Sequence, residues 1–361
     1  MTYIFWQPAL DILHSAFLRN LAEIHSVILV SEIKMNKMRI KHGFYIPDFG
    51  KVRVLVAPDS KQINDLLEEK EAIHIFSGIR AFKMPSEVFK LAVKRKLFIG
   101  VFSEPFNWMG IKGKLRFLKY LILRIKYDKH IRFILTTGKR GRWCFETVGF
   151  KKTIIYDWAY FTETPDISIP KNKTDDLKIL FIGSIDKRKN ILSLISVCKN
   201  LNIIDRLQII GAGPLENELV QTINTTKCSY LGRVHNREVA QIIVNADVLV
   251  LPSIYDGWGA VVNEALMCGV PVIASDNCGS SVLLHGIRGR VFSIKKNNLE
   301  DVLREFIEEL PYDTDKREEI KNWALQNISG EAAAQYFIEI MNFINNQTPQ
   351  RPVAPWLIRT L

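Results

Sequence analysis

Short apolar runs alternate with longer amphipathic segments along the first half of the chain. The six runs are Tyr3–Trp6, Val27–Ile33, Val52–Ala57, Ile73–Phe76, Leu97–Phe102 and Phe133–Thr136. Segments of helix length lie between them. This alternation predicts a parallel sheet wound by crossover helices.

The second half repeats the pattern with apolar runs that lead into glycine-containing turns. The runs are Lys178–Ile182, Leu207–Ile210, Cys228–Leu231, Val248–Pro252 and Val270–Ala274. Because they lack apolar–polar alternation, they predict strands buried on both faces of a sheet. Two late helices are predicted over Lys316–Gln326 and Glu331–Ile344.

A polar stretch with two prolines, 161–176, separates the two series, and we interpret it as a linker. The length of 361 residues also favours two domains. We therefore expect an N-terminal domain over 1–165 and a C-terminal domain over 166–330, followed by a helix and tail over 331–361.

The composition gives no sign of a membrane span or of disulfides. No stretch approaches the roughly 20 uninterrupted apolar residues of a span, and Met1–Leu13 is typical of a first strand and helix rather than of a secretory signal. The five cysteines are odd in number and lack CxxC spacing, so we expect reduced thiols, no structural metal and a cytoplasmic protein.

Positive charge is concentrated in the first half. Residues 1–165 contain 28 Lys and Arg against 15 Asp and Glu, whereas the remaining residues contain 21 against 23. Such an asymmetry indicates an anionic partner for the first half, either nucleic acid or anionic lipid head groups. No nucleic-acid-binding motif accompanies it, so we expect no nucleic acid partner.

One basic segment, 112–126, predicts an amphipathic helix. At about 100 degrees per residue, one face carries Lys112, Arg116, Lys119 and Lys126, and the opposite face carries Leu115, Leu118, Leu121, Ile122 and Ile125. The apolar face either packs on the domain or lies in a membrane interface, with the cations on anionic head groups. We prefer the second interpretation, a peripheral attachment to the inner face of the cytoplasmic membrane.

Ligands of open parallel sheets bind beyond the carboxyl ends of the strands, so the turns of the second half are the candidate sites. The turn Gly183–Asn190 places a glycine and the run Lys187-Arg188-Lys189 at a predicted helix entrance, which suits a phosphate. Ordinary surface cations explain that run equally well.

A second turn, Gly211-Ala212-Gly213, follows a strand and opens a helix. It lacks the third glycine of a dinucleotide-binding loop, because Glu216 stands in its place. Close packing of strand and helix explains the two glycines as well as phosphate contact does.

The third turn is the most informative, and it runs from Leu251 to Leu266 as LPSIYDGWGAVVNEAL. A helix is predicted to begin near Ala260, and the free N–H groups of its first turn suit a pyrophosphate. Asp256 and Glu264 bracket this turn as acceptors for sugar hydroxyls. The alternative is that Asp256 caps a helix and Glu264 is a surface carboxylate.

Taken in order, these motifs resemble the retaining GT-B glycosyltransferases of family 4, the glycosyl transferases group 1 of polysaccharide and lipopolysaccharide synthesis. The likeness extends from Lys178 to about Phe292, and it includes Tyr230–Val234, Asp247–Ser253 and Gly269–Ala274. It implies a GT-B fold, with two Rossmann-like domains and a cleft between them. It also implies that the final helix crosses back to the first domain.

The resemblance implies that Glu264 binds the nucleotide ribose, that Asp256 contacts the donor sugar and that Lys189 holds the diphosphate. Asp256 stands where the family usually has Glu, and Ser184 stands where it usually has Arg. Either Arg188 compensates for the missing Arg, or the diphosphate is held less tightly. Val282 replaces a frequent Glu. The predicted catalytic residues are Lys189, Asp256 and Glu264. The predicted donor-binding residues are Gly183, Ser184, Arg188, Gly211, Gly213, Arg233, Gly257, Trp258, Gly259, Ala260 and Val261.

Two residues of the first half are acceptor-side candidates. His14 lies where the first strand gives way to the first helix, and a capping or core role is equally open. Glu104 follows the strand Leu97–Phe102, at a position where many relatives have His. It either acts on the acceptor or is a turn residue before Pro105.

The sequence thus predicts transfer of a hexose-type residue from a nucleoside diphosphate sugar to a saccharide or lipid-linked acceptor. We expect no cofactor and no metal, because no metal-ligand spacing is found and Asp313-Thr314-Asp315 is typical of a helix cap. Cations and helix amides would stabilise the leaving diphosphate. The alternatives are a GT-B sugar-nucleotide epimerase or phosphorylase, and a nicotinamide-dependent oxidoreductase that uses the Gly211–Gly213 turn.

Overall fold

The computed structural model describes residues 1–35, 40, 45–106, 108, 110–170 and 177–358. These residues divide into two units. The first contains the described parts of Met1–Ile40, Ile46–Glu163 and Ser329–Leu361, and the second is formed chiefly by Thr164–Ile328. Of the expected linker, 161–170 has no regular structure and 171–176 lies outside the described residues.

Seven parallel strands form the sheet of the first unit. They are β1 (Thr2–Ala9), β2 (Ser26–Ile33), β3 (Arg53–Val56), β4 (Ile73–Ser77), β5 (Phe98–Ser103), β6 (Ile131–Thr137) and β7 (Ile155–Trp158). Their order in the sheet is β3-β2-β1-β4-β5-β6-β7. The six predicted strands are confirmed with slightly different ends, and β7 was missed.

Strand β7 was not predicted from the sequence because a charged residue interrupts its apolar run. Asp157 lies in this edge strand and pairs with Arg142, whose Nε and Nη2 lie 2.9 and 2.6 Å from the carboxylate oxygens. The ion pair lets a short strand carry a carboxylate at the edge of the sheet.

In the described part of the first unit, five helices with defined bounds lie between these strands, and they are α1 (Ile12–Ala22), α2 (Ser60–Glu68), α3 (Lys83–Lys94), α4 (Gly110–Tyr127) and α5 (Gly138–Thr147). The core between helices and sheet includes Trp6, Phe76, Phe89, Ile134 and Phe145, all of them buried. Uniformly apolar strands are what a sheet covered on both faces requires.

The second unit contains six parallel strands in the order β10-β9-β8-β11-β12-β13. They are β8 (Ile179–Ile182), β9 (Leu207–Ile210), β10 (Ser229–Tyr230), β11 (Val248–Leu251), β12 (Val272–Ser275) and β13 (Gly289–Phe292). Counted from β8, this is the strand order of a dinucleotide-binding domain. The five predicted strands are confirmed, and β13 was missed because Gly289 and Arg290 break its apolar run.

The remaining helices follow the strands of the second unit and then leave it. They are α6 (Ile191–Asn200), α7 (Glu216–Ile223), α8 (Asn236–Ile243), α9 (Val261–Met267), α10 (Leu299–Ile307), α11 (Thr314–Ile328) and α12 (Gly330–Ile344). Helix α12 belongs to the first unit, where the Phe337 ring contacts Phe5 and Phe17. Asp313 caps α11 as predicted, because its carboxylate accepts from the Lys316 N–H at 2.8 Å.

Helix α4 corrects one expectation from the sequence. Its buried residues are Gly113, Tyr120 and Tyr127, whereas Leu115 and Ile122 are exposed. The interpretation that the apolar face packs on the domain is therefore wrong. None of the helices in the described part of the chain is both long and apolar enough to cross a bilayer. All five cysteines are free, as predicted.

Candidate functional site

The sheet of the second unit reverses its direction of winding between β8 and β11. These two strands are parallel neighbours, and the chain continues from them toward opposite edges of the sheet. Such a switch point opens a crevice at the carboxyl ends of the strands. The turn after β8, Gly183–Asn190, and the turn after β11 meet there, because the Ile254 N–H donates to the Arg188 carbonyl at 2.8 Å.

Lys189 and Asp256 join these two turns. Lys189 is only 8% exposed, and its ammonium group donates to the Asp256 carboxylate. Arg188 Nη1 lies 3.6 Å from the same carboxylate and is more exposed. Lys187 points to solvent. The surface-cation interpretation therefore holds for Lys187 and fails for Lys189.

Asp186 shapes the turn that carries these cations. Its carboxylate accepts from the Lys189 backbone N–H at 2.8 Å and from the Ser184 hydroxyl at 2.7 Å. Arg188 Nη2 lies 3.5 Å from the Ser184 hydroxyl oxygen, so Arg188 does stand beside the position where Ser replaces the usual Arg. Sequence reasoning missed Asp186, although an Asp three residues before a helix-entrance Lys is a recognisable local turn signal.

A second loop holds the glycine turn after β11. The Asp256 N–H donates to Asn277 and the Gly279 N–H donates to Asp256, both at 3.1 Å. Gly259 has φ +90°, and a Cβ there would lie 2.8 Å from the Cys278 sulfur. Asp256 is thus fixed by backbone bonds on both sides, and it does not cap a helix.

Trp258 packs in the protein interior beneath the glycine turn and does not face the crevice. Its side chain is buried, and the indole N–H donates to the Asn263 side chain at 2.8 Å. Any contact of Trp258 with a donor would therefore be made by its backbone. Gly257 and Gly259 can likewise offer a donor only their backbone, and Ala260 and Val261 follow them at the start of α9.

Glu264 is the most unusual carboxyl group of the site. It lies one turn into α9 and is partly buried, and its side chain makes no hydrogen bond or ion pair with any residue that the structure describes. Burial raises its pKa to about 7. Desolvation of a carboxyl group without a partner lowers the stability of a fold, and such groups are typical of functional sites. Glu264 is therefore not an ordinary surface carboxylate.

The Gly211-Ala212-Gly213 turn packs against the turn after β8. A Cβ on Gly211 would lie 1.8 Å from the Gly183 oxygen, and one on Gly213 would lie 2.4 Å from the Ile185 oxygen. Close backbone approach thus requires both glycines, as the packing interpretation proposed. Arg233 is exposed in the turn after β10, beside Gly232, whose carbonyl accepts from the Gly211 N–H at 2.8 Å.

In the first unit, Tyr160 brings the two acceptor-side candidates together. The His14 ring lies 4.5 Å from Phe102 and 5.4 Å from Tyr160, and the Tyr160 hydroxyl donates to the Glu104 carboxylate. Asp11, not His14, caps α1. Sequence reasoning missed Tyr160, because nothing local to it indicates a partner 56 residues away.

Of these side chains, His14 lies near the switch point of the first sheet. His14 lines a cavity of about 10 Å³ together with Gln7 and Ser77, at the carboxyl ends of β1 and β4. These two strands are neighbours from which the chain winds in opposite directions. The first unit thus presents polar groups at the sheet edge where α/β domains bind ligands.

Comparison with known proteins identifies the second unit. Residues 163–326 match the family described as glycosyl transferases group 1. The second unit is a group 1 glycosyltransferase domain. Over 240 residues, 63% of this chain, the sequence is 30% identical to an uncharacterized 41.2 kDa protein in the cps region of Klebsiella pneumoniae. The match spans 66% of that relative and smaller shares of the next two curated relatives.

Solved glycosyltransferase structures share the fold of both units. HepE from Anabaena in complex with UDP has a TM-score of 0.68 at 14% identity, covering 95% of this chain and 100% of that one. The lipopolysaccharide outer core galactosyltransferase WaaB has a TM-score of 0.66 at 15% identity, covering 96% and 100%. At such identities the likeness concerns the fold, and it confirms the predicted GT-B class with two Rossmann-like domains.

Proposed function

We propose that the chain transfers a hexose-type residue from a nucleoside diphosphate sugar to a saccharide or lipid-linked acceptor. One observation carries the proposal. Two carboxyl groups lie at the switch point of the glycosyltransferase domain in opposite environments, Asp256 between two cations and Glu264 desolvated without a partner. A ligand with both negative phosphates and hydroxyl donors matches that arrangement.

Lys189 and Arg188 are the proposed diphosphate ligands. Both already contact one anionic group, the Asp256 carboxylate, so their positive ends point at the crevice. The leaving group of sugar transfer is a diphosphate, and negative charge grows on it as the bond to the sugar breaks. Preorganised cations stabilise that charge, which is why we propose a reaction that needs no metal.

Glu264 is the proposed ribose ligand. Vicinal hydroxyls donate hydrogen bonds, and an ionised carboxylate accepts two of them. Because burial raises the pKa of Glu264 to about 7, ribose hydroxyls would replace the missing solvent and favour the ionised form. Asp256 is the proposed partner of the donor sugar, and its short side chain favours a sugar seated close to the turn.

The nature of the donor and acceptor rests on similar proteins. HepE has been solved with UDP and glucose and with UDP-glucose, and WaaB is described as a lipopolysaccharide outer core galactosyltransferase. We propose a role in cell-surface polysaccharide or glycolipid synthesis at the cytoplasmic side. We propose retention of anomeric configuration, which the family resemblance implies, and we propose that the acceptor contacts His14, Tyr160 and Glu104.

The experiment is a thermal-shift screen against UDP-, GDP-, ADP- and TDP-sugars, followed by an assay of nucleoside diphosphate release. A donor that binds only the folded chain raises its apparent stability. Release of the diphosphate should require an acceptor and should survive EDTA. Conversion of the donor to an epimeric sugar nucleotide without release of diphosphate would indicate an epimerase, a requirement for inorganic phosphate would indicate a phosphorylase, and stabilisation by NAD alone would indicate an oxidoreductase.

A further inference from the structure

Helix α4 exposes a continuous apolar stripe to solvent. Five large side chains fall within about 80 degrees of one another around the helix axis. They are Ile111, Leu115, Leu118, Ile122 and Ile125, with exposed fractions of 52 to 80%. A row of exposed Leu and Ile over four helical turns is unusual for a surface that faces only water.

The helix cannot turn this stripe inward, because its other side is already packed. Tyr120 stacks on Phe106 with ring centroids 3.9 Å apart, and Tyr127 meets Phe89 edge to face at 5.1 Å. At Gly113 the Trp108 backbone lies where a Cβ would be, so no larger residue fits there. The stripe is therefore a fixed outer surface of the first unit.

Cations flank the stripe on both sides. Lys114 lies on one side, and Lys112, Lys119 and Lys126 lie on the other. The helix contains no Asp or Glu. Within the part of the chain that the structure describes, Lys112, Lys114 and Lys119 form no ion pair. These charges are thus available to an external anion.

An exposed indole borders the same surface. Trp143 of α5 is 50% exposed and lies 4.6 Å from the Trp108 ring, which in turn contacts Phe117 of α4. Tryptophan is enriched where proteins meet the head-group layer of a bilayer, because its ring is apolar and its N–H is polar.

We propose that α4 lies in the surface of an anionic lipid bilayer, with the stripe among the acyl chains and the flanking lysines on the head groups. This docking does not depend on the proposed transferase activity. A second copy of the chain is a poorer occupant, because paired α4 helices would bring like charges together. Nucleic acid offers no apolar partner for five Leu and Ile side chains.

The test is co-sedimentation of the full chain with phosphatidylcholine vesicles and with vesicles of phosphatidylcholine and phosphatidylglycerol in equal parts. Salt is varied from about 0.01 to about 1 M, over which the Debye length falls from about 30 to about 3 Å. Binding should be confined to the anionic vesicles and weaken with salt. Changing Leu115, Leu118 and Ile122 to Gln should lower it at least about tenfold, and changing Lys112, Lys114 and Lys119 to Gln by up to about a hundredfold.

Matched variants change other exposed residues of the first unit, away from α4. Ile33, Val56 and Leu91 changed to Gln control for the apolar set, and Lys83, Lys90 and Lys94 changed to Gln control for the charged set. Both should bind vesicles like the parent chain. The proposal is overturned if the α4 variants and their controls behave alike. It is also overturned if the apolar α4 variant dissociates a dimer in sedimentation equilibrium while vesicle binding is unchanged.

Discussion

The ammonium group of Lys189 is paired with the carboxylate of Asp256, across two turns that are 67 residues apart in sequence. Both side chains are nearly inaccessible to solvent, at 10% and 12% exposure. Burying such a pair removes hydration from two charges, and this cost often equals the attraction that is gained. The pair is therefore better explained as a means of aiming Lys189 at the crevice than as a source of stability.

Replacing Lys189 by Ala should lower kcat by about a hundredfold to a thousandfold, the usual loss when one preorganised donor is removed from a developing anion. The KM for the donor should rise less, because Arg188 still lies 3.6 Å from Asp256 and can hold part of the diphosphate. Initial rates of diphosphate release measure both constants. Lys187→Ala is the control, since Lys187 belongs to the same turn but points to solvent. Equal kcat values for the two variants would remove Lys189 from the mechanism.

Glu264 should make folding stability depend on pH. Its pKa is raised by burial from 4.5 to about 7, so between these values the folded chain binds a proton that the unfolded chain releases. The free energy of unfolding should then fall as pH rises through this window, by up to about 3 kcal/mol. Glu264→Gln should abolish that fall, and its stability relative to the parent should be greater at pH 8 than at pH 5.

Urea unfolding at both pH values measures the Glu264 effect. Glu218→Gln, at an exposed position of α7, serves as the control and should follow the parent chain. A stability difference between Glu264→Gln and the parent that is the same at pH 5 and pH 8 would contradict the desolvated environment of Glu264.

The Tyr160 hydroxyl should matter for the acceptor and not for the donor. Tyr160→Phe removes the hydrogen bond to Glu104, a loss of about 0.5 to 1.5 kcal/mol, or roughly twofold to tenfold in kcat/KM for the acceptor. Tyr312→Phe is a matched control, because the Tyr312 hydroxyl also donates to a carboxylate, Glu309, within the second unit. An unchanged kcat/KM for the acceptor in Tyr160→Phe, or an equal change in both variants, would argue against the acceptor assignment.

Gly211 should be far less replaceable than Gly232, although both have positive φ. A Cβ on Gly211 would overlap the Gly183 carbonyl, whereas nothing lies within 4 Å of a Cβ on Gly232. Gly211→Ala should therefore lower the free energy of unfolding by about 1 to 3 kcal/mol more than Gly232→Ala does. Thermal or urea unfolding of the two variants checks this. Similar losses would mean that the two turns are not packed against each other.

Most of the fold and the donor turns were predictable because both depend on residues that are close together in the sequence. Strands buried on both faces are continuous apolar runs, and the turn from Asp256 to Glu264 is contiguous. The edge strands β7 and β13 were missed because Asp157 and Arg290 interrupt them. Such charges are tolerated only through partners elsewhere, such as Arg142 for Asp157, and no local pattern reveals those partners.

The sequence also did not reveal which side chains face the protein interior. Helical periodicity separated an apolar stripe from cations in α4, but only the packing of Tyr120 and Tyr127 shows which side faces the domain. In the same way, the run Lys187 to Lys189 does not say which cation is buried. Burial in both cases depends on contacts between segments that are far apart in sequence.

Calorimetric titration of the parent chain and of Glu264→Ala, with the nucleoside diphosphate that the donor screen selects, tests whether the nucleotide binds at the turn from Asp256 to Glu264. We predict that the parent binds it and that Glu264→Ala, while folded, binds it about 5-fold to 150-fold more weakly, since ribose hydroxyls lose a buried acceptor worth about 1 to 3 kcal/mol. Unchanged affinity in a folded Glu264→Ala chain would contradict the placement of the nucleotide at this turn.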